Sequence, residues 1–327
     1  IAVDGERIKG VKRQAMGTTD DALAQTLERE GRGGLWRGFS VDGDRLRTNE
    51  HYEQPPRFFT AITGGAWNVY SCNLWEDGAD ESQAQEQKLD LLATLLQLRP
   101  GQRILDVGCG WGGPLVYLAK RYGVRGVGLT LSPAQREYAE RRVREHYVDV
   151  AIQECHWKGF VDGEPFDAAY TDEVIVHFND LGGYFEKVWS LLRPGGRMLN
   201  KELHFTSTSW MEITPAMVFV NEIYGETGNY RTLHEELALV DRAGFTLDKV
   251  HQIRMDNYVR TAERWLKNMQ THRDELEQLV GALYYKRFRT YLRIGRRIFA
   301  GPSMTLDVIT SIKPLAAPAP RSVGARL

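Results

Sequence analysis

The 327-residue chain predicts an α/β fold built on a mostly parallel sheet. Three observations carry that reading. Short apolar strands alternate with helical stretches through the middle of the chain, a glycine-rich turn joins the first strand to its helix, and 42% hydrophobic with 26% charged residues describes a globular protein. Repeated strand-helix-strand units need right-handed crossovers, which lay successive strands in parallel.

From Ile1 to about Asn49 the sequence is polar and glycine-rich, with one amphipathic stretch near Asp20 to Glu30 and a break at Gly31 to Gly34. Residues 1–50 read as an N-terminal arm or lid. Aromatic residues crowd His51 to Cys72, and Leu89, Leu92, Leu95 and Leu96 give Asp80 to Leu98 a helical spacing that Arg99-Pro100-Gly101 stops. Arg103 to Val107 is the first strand, Gly108 to Gly113 the turn, and Pro114 to Tyr122 a helix with proline in its first turn. Strands follow at Gly126 to Thr130 and Val148 to Gln153, separated by a helix from Pro133 to Glu145 that Ser132 caps. A fourth strand, Phe166 to Thr171, leads to a helix at Tyr184 to Leu192, a stop at Arg193-Pro194-Gly195-Gly196 and a fifth strand at Arg197 to Leu203. Beyond these come a helix at Leu233 to Ala243, a strand at Phe245 to Ile253, a helical region to about Phe299 and a last strand at Thr305 to Ile312. One domain is expected over 51–313, with cap helices at about 206–232 and 256–300. Residues 314–327, where Pro314, Pro318 and Pro320 stand among alanines, read as a disordered tail.

Forty-two basic residues against 43 acidic ones leave a net charge of -1, so no global field draws the chain to nucleic acid or an anionic membrane. A local patch is another matter: Lys286 to Arg297 carries six basic residues in 12, either a solvated helix face or a seat for an anionic substrate end, a lipid headgroup or a diphosphate, or for a membrane surface. The three cysteines, Cys72, Cys109 and Cys155, lack metal or redox spacing, and no apolar run reaches the roughly 18 residues of a membrane span. Free thiols, a cytoplasmic location and no metal are expected.

The turn is the informative stretch. Glycines let it bend tightly and let a ligand approach the backbone. Gly108, Gly110 and Gly113 satisfy the dinucleotide pattern, yet from Val107 to Arg136 there is no acid to hold a nicotinamide cofactor's ribose. Thr130, Leu131 and Gln135 stand there instead, so the nucleoside must meet uncharged groups.

Leu105-Asp106-Val107-Gly108-Cys109-Gly110-Trp111-Gly112, followed by Gly128 to Gln135, resembles class I S-adenosylmethionine-dependent methyltransferases of the cyclopropane fatty acid synthase and mycolic acid methyltransferase family. Further landmarks fall in family order: His51-Tyr52, Phe58-Phe59, Tyr70-Ser71-Cys72, Gln85, Lys88-Leu89, Leu192 to Gly196, and Asn257-Tyr258 with Trp265. The resemblance spans roughly His51 to Lys313. It implies a Rossmann-like seven-stranded sheet with a helical cap, S-adenosylmethionine as cofactor, and methyl transfer. By the same resemblance Gly108 and Gly110 approach the cofactor's amino-acid part, Thr130, Leu131 and Gln135 its ribose and adenine, and Trp157 the adenine face. Tyr70 and Ser71 close over the sulfonium, where an aromatic face supplies cation–π attraction.

Family members that build cyclopropanes are expected to hold a bicarbonate-like base with a cysteine, a glutamate-histidine pair, a histidine on the following strand and a tyrosine. Cys72, His177 and Tyr258 match that pattern, but Val176 replaces the glutamate and Lys201 the later histidine, which puts bicarbonate and ring closure in question. Glu173, four residues before His177, and Glu202, beside Lys201, are alternative acids. The catalytic candidates are therefore Glu173, His177, Glu202 and Tyr258, with Cys72 read as a buried filler. C-methylation of an alkene-bearing lipid, isoprenoid or natural product leads. N-methylation of a small amine, cyclopropane synthesis and cofactor binding without turnover stay open.

Overall fold

The computed structural model describes residues 41, 52, 54–211 and 229–315. Nearly all of the arm expected over 1–50, most of the cap segment 206–232 and nearly all of the tail 314–327 lie outside the described residues.

Among the described residues a single sheet organises the fold. Its strands are β1 (Arg103–Val107), β2 (Arg125–Thr130), β3 (Val150–Glu154), β4 (Phe166–Asp172), β5 (Leu192–Phe205), β6 (Arg231–Thr232), β7 (Thr246–Ile253) and β8 (Met304–Ile312). They lie in the order β3-β2-β1-β4-β5-β8-β7, and the two-residue β6 pairs with the end of β5. β8 runs antiparallel to both neighbours; the other pairings are parallel. The expected seven strands thus form the path, and β6 is the addition. Neighbouring residues of each central strand serve opposite faces. Ile104 and Leu199 feed one apolar layer, Leu105, Val107 and Met198 the other. Burial on both faces is why these strands read as continuous apolar runs.

Helices cover both faces: α1 (Pro56–Thr63), α2 (Glu81–Leu96), α3 (Gly113–Tyr122), α4 (Pro133–His146), α5 (Leu181–Leu191) and α6 (Leu233–Arg242). Asp80 caps α2 in a reciprocal box with Gln83, and Ser132 caps α4 as expected. Two boundaries differ from the sequence reading. α5 begins at Leu181 rather than Tyr184, because the Asp180 side chain accepts from Gly183 N at 3.0 Å and offsets the weak helix preference of Gly182 and Gly183. β5 begins at Leu192 rather than Arg197, since Leu192 pairs with Phe166 across a register shift. The long C-terminal helical region is α7 (Met255–Thr271), α8 (Arg273–Val280) and α9 (Ala282–Phe299), broken at His272 and at Gly281. These helices meet α1 in a third apolar cluster that includes Phe58, Phe59, Trp111, Trp265 and Phe288.

Where β5, β8 and α6 join, His204 is clamped between two buried acids, with Nε2 2.7 Å from Glu236 and Nδ1 3.1 Å from Asp307. Burial alone lowers the imidazole pKa, but the bonds to Asp307 and Glu236 outweigh it and push it up to about 10. A histidine raised in the folded state contributes stability that is complete below its unfolded value near 6.5 and is lost as pH rises through about 10. The denaturant midpoint is therefore expected to fall on the alkaline side, and His204→Gln to flatten that fall. Urea unfolding over a pH series checks this.

Candidate active site

The chain steps from β1 outward through β2 to β3, then crosses back to β4 on the other side of β1. At such a reversal the loops beyond the strand ends part and leave a crevice. A cleft with about 960 Å³ of empty space opens there, lined by Gly108 and Gly110 after β1, Thr130 at the end of β2 and Glu173 after β4. Gly108 N and Cys109 N both donate to Leu129 O at 2.9 Å, folding the turn back onto β2. Gly108 has φ +86, and a Cβ there would meet Val174 Cγ1 at 2.5 Å; at Gly110, φ +52, a Cβ would find nothing within 4 Å. One glycine is required by packing, whereas the other leaves the backbone open toward the cleft.

The β2 side of the cleft is uncharged. Thr130 Oγ1 donates to Gln135 Oε1 at 2.7 Å and accepts from Ser132 N at 3.2 Å, with Leu131 and Gln135 also on the wall. Trp157 lines the same wall, packed edge-on against Tyr184 with ring centroids 5.6 Å apart. The buried indole N–H groups of Trp111 and Trp157 have no hydrogen-bond partner among the described residues. Buried donors need acceptors, and a purine nucleoside with an amino-acid tail offers several. Every residue expected to hold the cofactor lines this cleft: Tyr70, Ser71, Gly108, Gly110, Thr130, Leu131, Gln135 and Trp157.

Aromatic rings close one end. Tyr70 stacks on Trp265 at 5.0 Å and meets Phe59 edge-on at 5.4 Å, while Tyr52 lies 5.7 Å from Phe59 and 6.4 Å from the His177 ring. His177 ends a short 3-10 turn, Ile175–His177, and lines the cleft.

Beneath that chamber sit four charged side chains. Lys201, fully buried, reaches Asp172 Oδ1 at 2.9 Å and pairs with Glu173 Oε1. Lys88, also fully buried, pairs with Asp172 Oδ2 and lies 3.1 Å from Ser71 Oγ, which donates to Asp172 at 2.8 Å. Glu173 further accepts from Cys72 N at 2.8 Å and from the Tyr258 hydroxyl. Burial alone raises the Asp172 carboxyl, but Lys201 and Lys88 outweigh it and hold it well below the usual carboxylate range.

The catalytic candidates separate here. Glu173 and His177 line the cleft; Tyr258 and Glu202 are not among its lining residues. Tyr258 reaches the site through Glu173. Glu202 accepts from Val176 N at 3.1 Å and Leu203 N at 2.9 Å, so it braces the turn carrying His177. Burial first, then the Glu173 charge, pushes its carboxyl up to about 8. Cys72 is fully buried, its thiol pushed up by burial and so held protonated.

Three groups escaped the sequence reading. Asp106 lines the cleft, accepts from Tyr170 Oη at 2.6 Å and is pushed by burial up to about 7. Lys88 and Asp172 complete the ionic cluster. A lysine on an otherwise apolar helix face was the available signal for the second, since buried lysines need partners.

Residues 41–309 match the family described as mycolic acid cyclopropane synthetase. Methoxy mycolic acid synthase MmaA3 of Mycobacterium tuberculosis is 32% identical over 263 residues, covering 74% of this chain and 86% of that protein. Cyclopropane mycolic acid synthase 2 of Mycobacterium leprae is 28% identical over 270 residues, covering 74% and 85%. Among solved structures, the cyclopropane synthase MmaA2 from Mycobacterium tuberculosis superposes with a TM-score of 0.77 at 24% identity, over 82% of this chain and 98% of that one. The mycolic acid cyclopropane synthase CmaA1 complexed with SAH and CTAB gives 0.76 at 24% identity, over 82% and 98%.

Proposed function

The chain belongs to the mycolic acid cyclopropane synthetase family and is an S-adenosylmethionine-dependent methyltransferase; on that premise we propose that it adds a methyl group to an alkene carbon of a lipid acceptor. The observation that carries this is the meeting of an aromatic chamber with the Glu173 carboxylate on one wall of the cleft. Relatives named as methoxy mycolic acid and cyclopropane mycolic acid synthases support a lipid acceptor.

S-adenosylmethionine, when bound, supplies an activated methyl group on a cationic sulfur. Thr130, Leu131 and Gln135 hold its sugar and base with neutral contacts, Trp157 stacks on the adenine, and Gly108 and Gly110 admit its amino-acid end. Asp106, at the cleft wall, offers a counter-charge to that end's ammonium. Tyr70 and Ser71 lie at the methyl side. Alignment of the reacting atoms is the main demand, contributing about 7–11 kcal/mol in favourable cases. Methylation of an alkene leaves positive charge on the acceptor, which the faces of Tyr52 and Tyr70 stabilise. Glu173 then takes the proton. His177 orients the acceptor beside Tyr52.

Incubation with methyl-labelled cofactor and vesicles of a cis-monounsaturated phospholipid tests the reading. A product heavier by one CH2, the methyl gained less the proton lost, with a new C–CH3 resonance supports it. A label found on nitrogen, with an amine acceptor, overturns it.

Gly108→Ala is expected to weaken S-adenosylhomocysteine binding about tenfold or more, because its Cβ collides with Val174 in a backbone region that costs about 1–2 kcal/mol for L-residues. Calorimetry reads this directly.

Lys286, Arg293 and Arg297 are exposed on one side of α9, whereas Arg296 is occupied by Glu263 at 2.7 Å. This face meets the anionic headgroup of the lipid acceptor. Replacing Arg293 and Arg297 with Gln is expected to lower retention on phosphatidylglycerol vesicles several-fold at low salt, and unchanged retention removes the role.

A further inference from the structure

The family resemblance implies a bicarbonate-like base held by groups at the positions of Cys72, Val176, His177, Lys201 and Tyr258. Three of those positions converge in this structure, but on a group that is part of the chain. Glu173 accepts from the Cys72 N–H at 2.8 Å, from the Tyr258 hydroxyl and from the Lys201 ammonium; of the other two positions, Val176 has nothing to offer an anion and His177 lines the cleft beside Tyr52. Three of the groups a free anion would use are spent on Glu173. A second anion set against Glu173 would bring like charges together in a buried place, which low polarity penalises heavily. Bicarbonate does not fit these residues.

We propose that the Glu173 carboxylate is a built-in substitute for an exchangeable anion, so that the proton acceptor is tethered to the chain and turnover needs no dissolved bicarbonate. This rests on the methyltransferase reading above and names the base of that same site. Glu173 lines the cleft, while Cys72, Lys201 and Tyr258 lie outside its lining and hold the carboxylate from behind. The backbone is arranged for it: Glu173 has φ +59, a left-handed conformation rare outside glycine, and its N–H donates to Lys201 O at 2.7 Å. Strand β5 thus grips both the main chain and the side chain of this residue through Lys201. Charge is balanced as well. Lys88 and Lys201 face Asp172 and Glu173, two amines against two carboxylates, so the cluster carries its own counter-groups.

The step balances without a further reactant. The bond from methyl carbon to sulfur breaks as a new carbon–carbon bond forms at the alkene, leaving a cation on the adjoining carbon. A C–H bond beside that cation then breaks, its electron pair fills the vacancy, and the proton passes to a Glu173 oxygen. It leaves to water when the product departs.

The test uses the full chain saturated with S-adenosylhomocysteine. Titration with carbon-13 bicarbonate, followed by NMR, is expected to show no saturable site in the wild type. Glu173→Gly, which suits the left-handed backbone and vacates the donors, is expected to bind formate at least about tenfold more tightly by calorimetry. Adding Lys201→Met to that variant is expected to abolish the gain. Saturable bicarbonate binding in the wild type, with density between Cys72 N and Tyr258 Oη in soaked crystals, overturns the proposal. So does a glycine variant that still binds S-adenosylhomocysteine yet takes up no anion. Should the glycine variant fail to fold, the wild-type titration decides alone. Absence of heat from S-adenosylhomocysteine in the wild type would instead sink the cofactor reading, so the two failures are distinct.

Discussion

Glu173→Gln is expected to lower turnover by about 10²- to 10⁴-fold, the usual contribution of a positioned base, while S-adenosylhomocysteine binding stays within a few-fold. The amide keeps the size of the carboxylate; its oxygen still accepts from Cys72 N, and its NH2 group donates to the Tyr258 oxygen in place of the bond it accepted, so the wall of the cleft keeps its shape. What it loses is the charge that stabilises a cationic acceptor and the lone pair basic enough to take its proton. Tyr258→Phe is expected to fall between the two enzymes, since it removes one of three donors and leaves Lys201 in place. Single-turnover methyl transfer with labelled cofactor, beside calorimetry of the product complex, separates chemistry from binding. Equal loss of both would identify Glu173 as a structural prop for the cleft and end its assignment as base.

Lys201→Met is expected to have the largest effect on stability, about 3–5 kcal/mol, the range seen when one partner of a buried ion pair is removed. Lys201 is fully buried between Asp172 and Glu173. Burial alone lowers its ammonium, but Asp172 and Glu173 outweigh it and raise it above the ordinary lysine value. Without Lys201 two carboxylates share a site with Lys88 alone. Because the Asp172 carboxyl is depressed in the folded protein, its share of stability is present above the unfolded value and lost as pH falls through the folded one. Lys201→Met removes part of that depression, so the variant is expected to lose its disadvantage partly toward acid pH. Chemical denaturation of the variant, and of Lys201→Met combined with Glu173→Gln, measures the coupling. The double variant is expected to recover stability, since it carries one uncompensated charge fewer.

Much of the molecule is legible without coordinates because it depends on neighbours in the chain. The turn from Gly108 to Gly113, the Ser132 cap and the alternation of strands and helices are local chemistry, and each falls where spacing places it within a few residues. The neutral end of the cofactor cleft is equally local. Thr130 and Gln135 are five residues apart, and a strand end followed by a capped helix brings them together. Boundaries drift where a partner strand extends an element, as at Leu192, or where a cap outweighs two glycines, as at Leu181.

The chemical end of the site is different. Lys201 and Glu202 are adjacent in sequence, and an ion pair between them is the natural reading of that proximity. In a strand, consecutive side chains leave opposite faces, so Lys201 turns to Asp172 and Glu173 while Glu202 turns to the backbone of Val176. The sequence by itself determined the sheet, the cofactor turn and the family. Only the tertiary structure decided which acid is held and by what, because Cys72, Glu173, Lys201 and Tyr258 come from four separate stretches. Their meeting is set by strand register and by the packing of α7, not by any spacing along the chain.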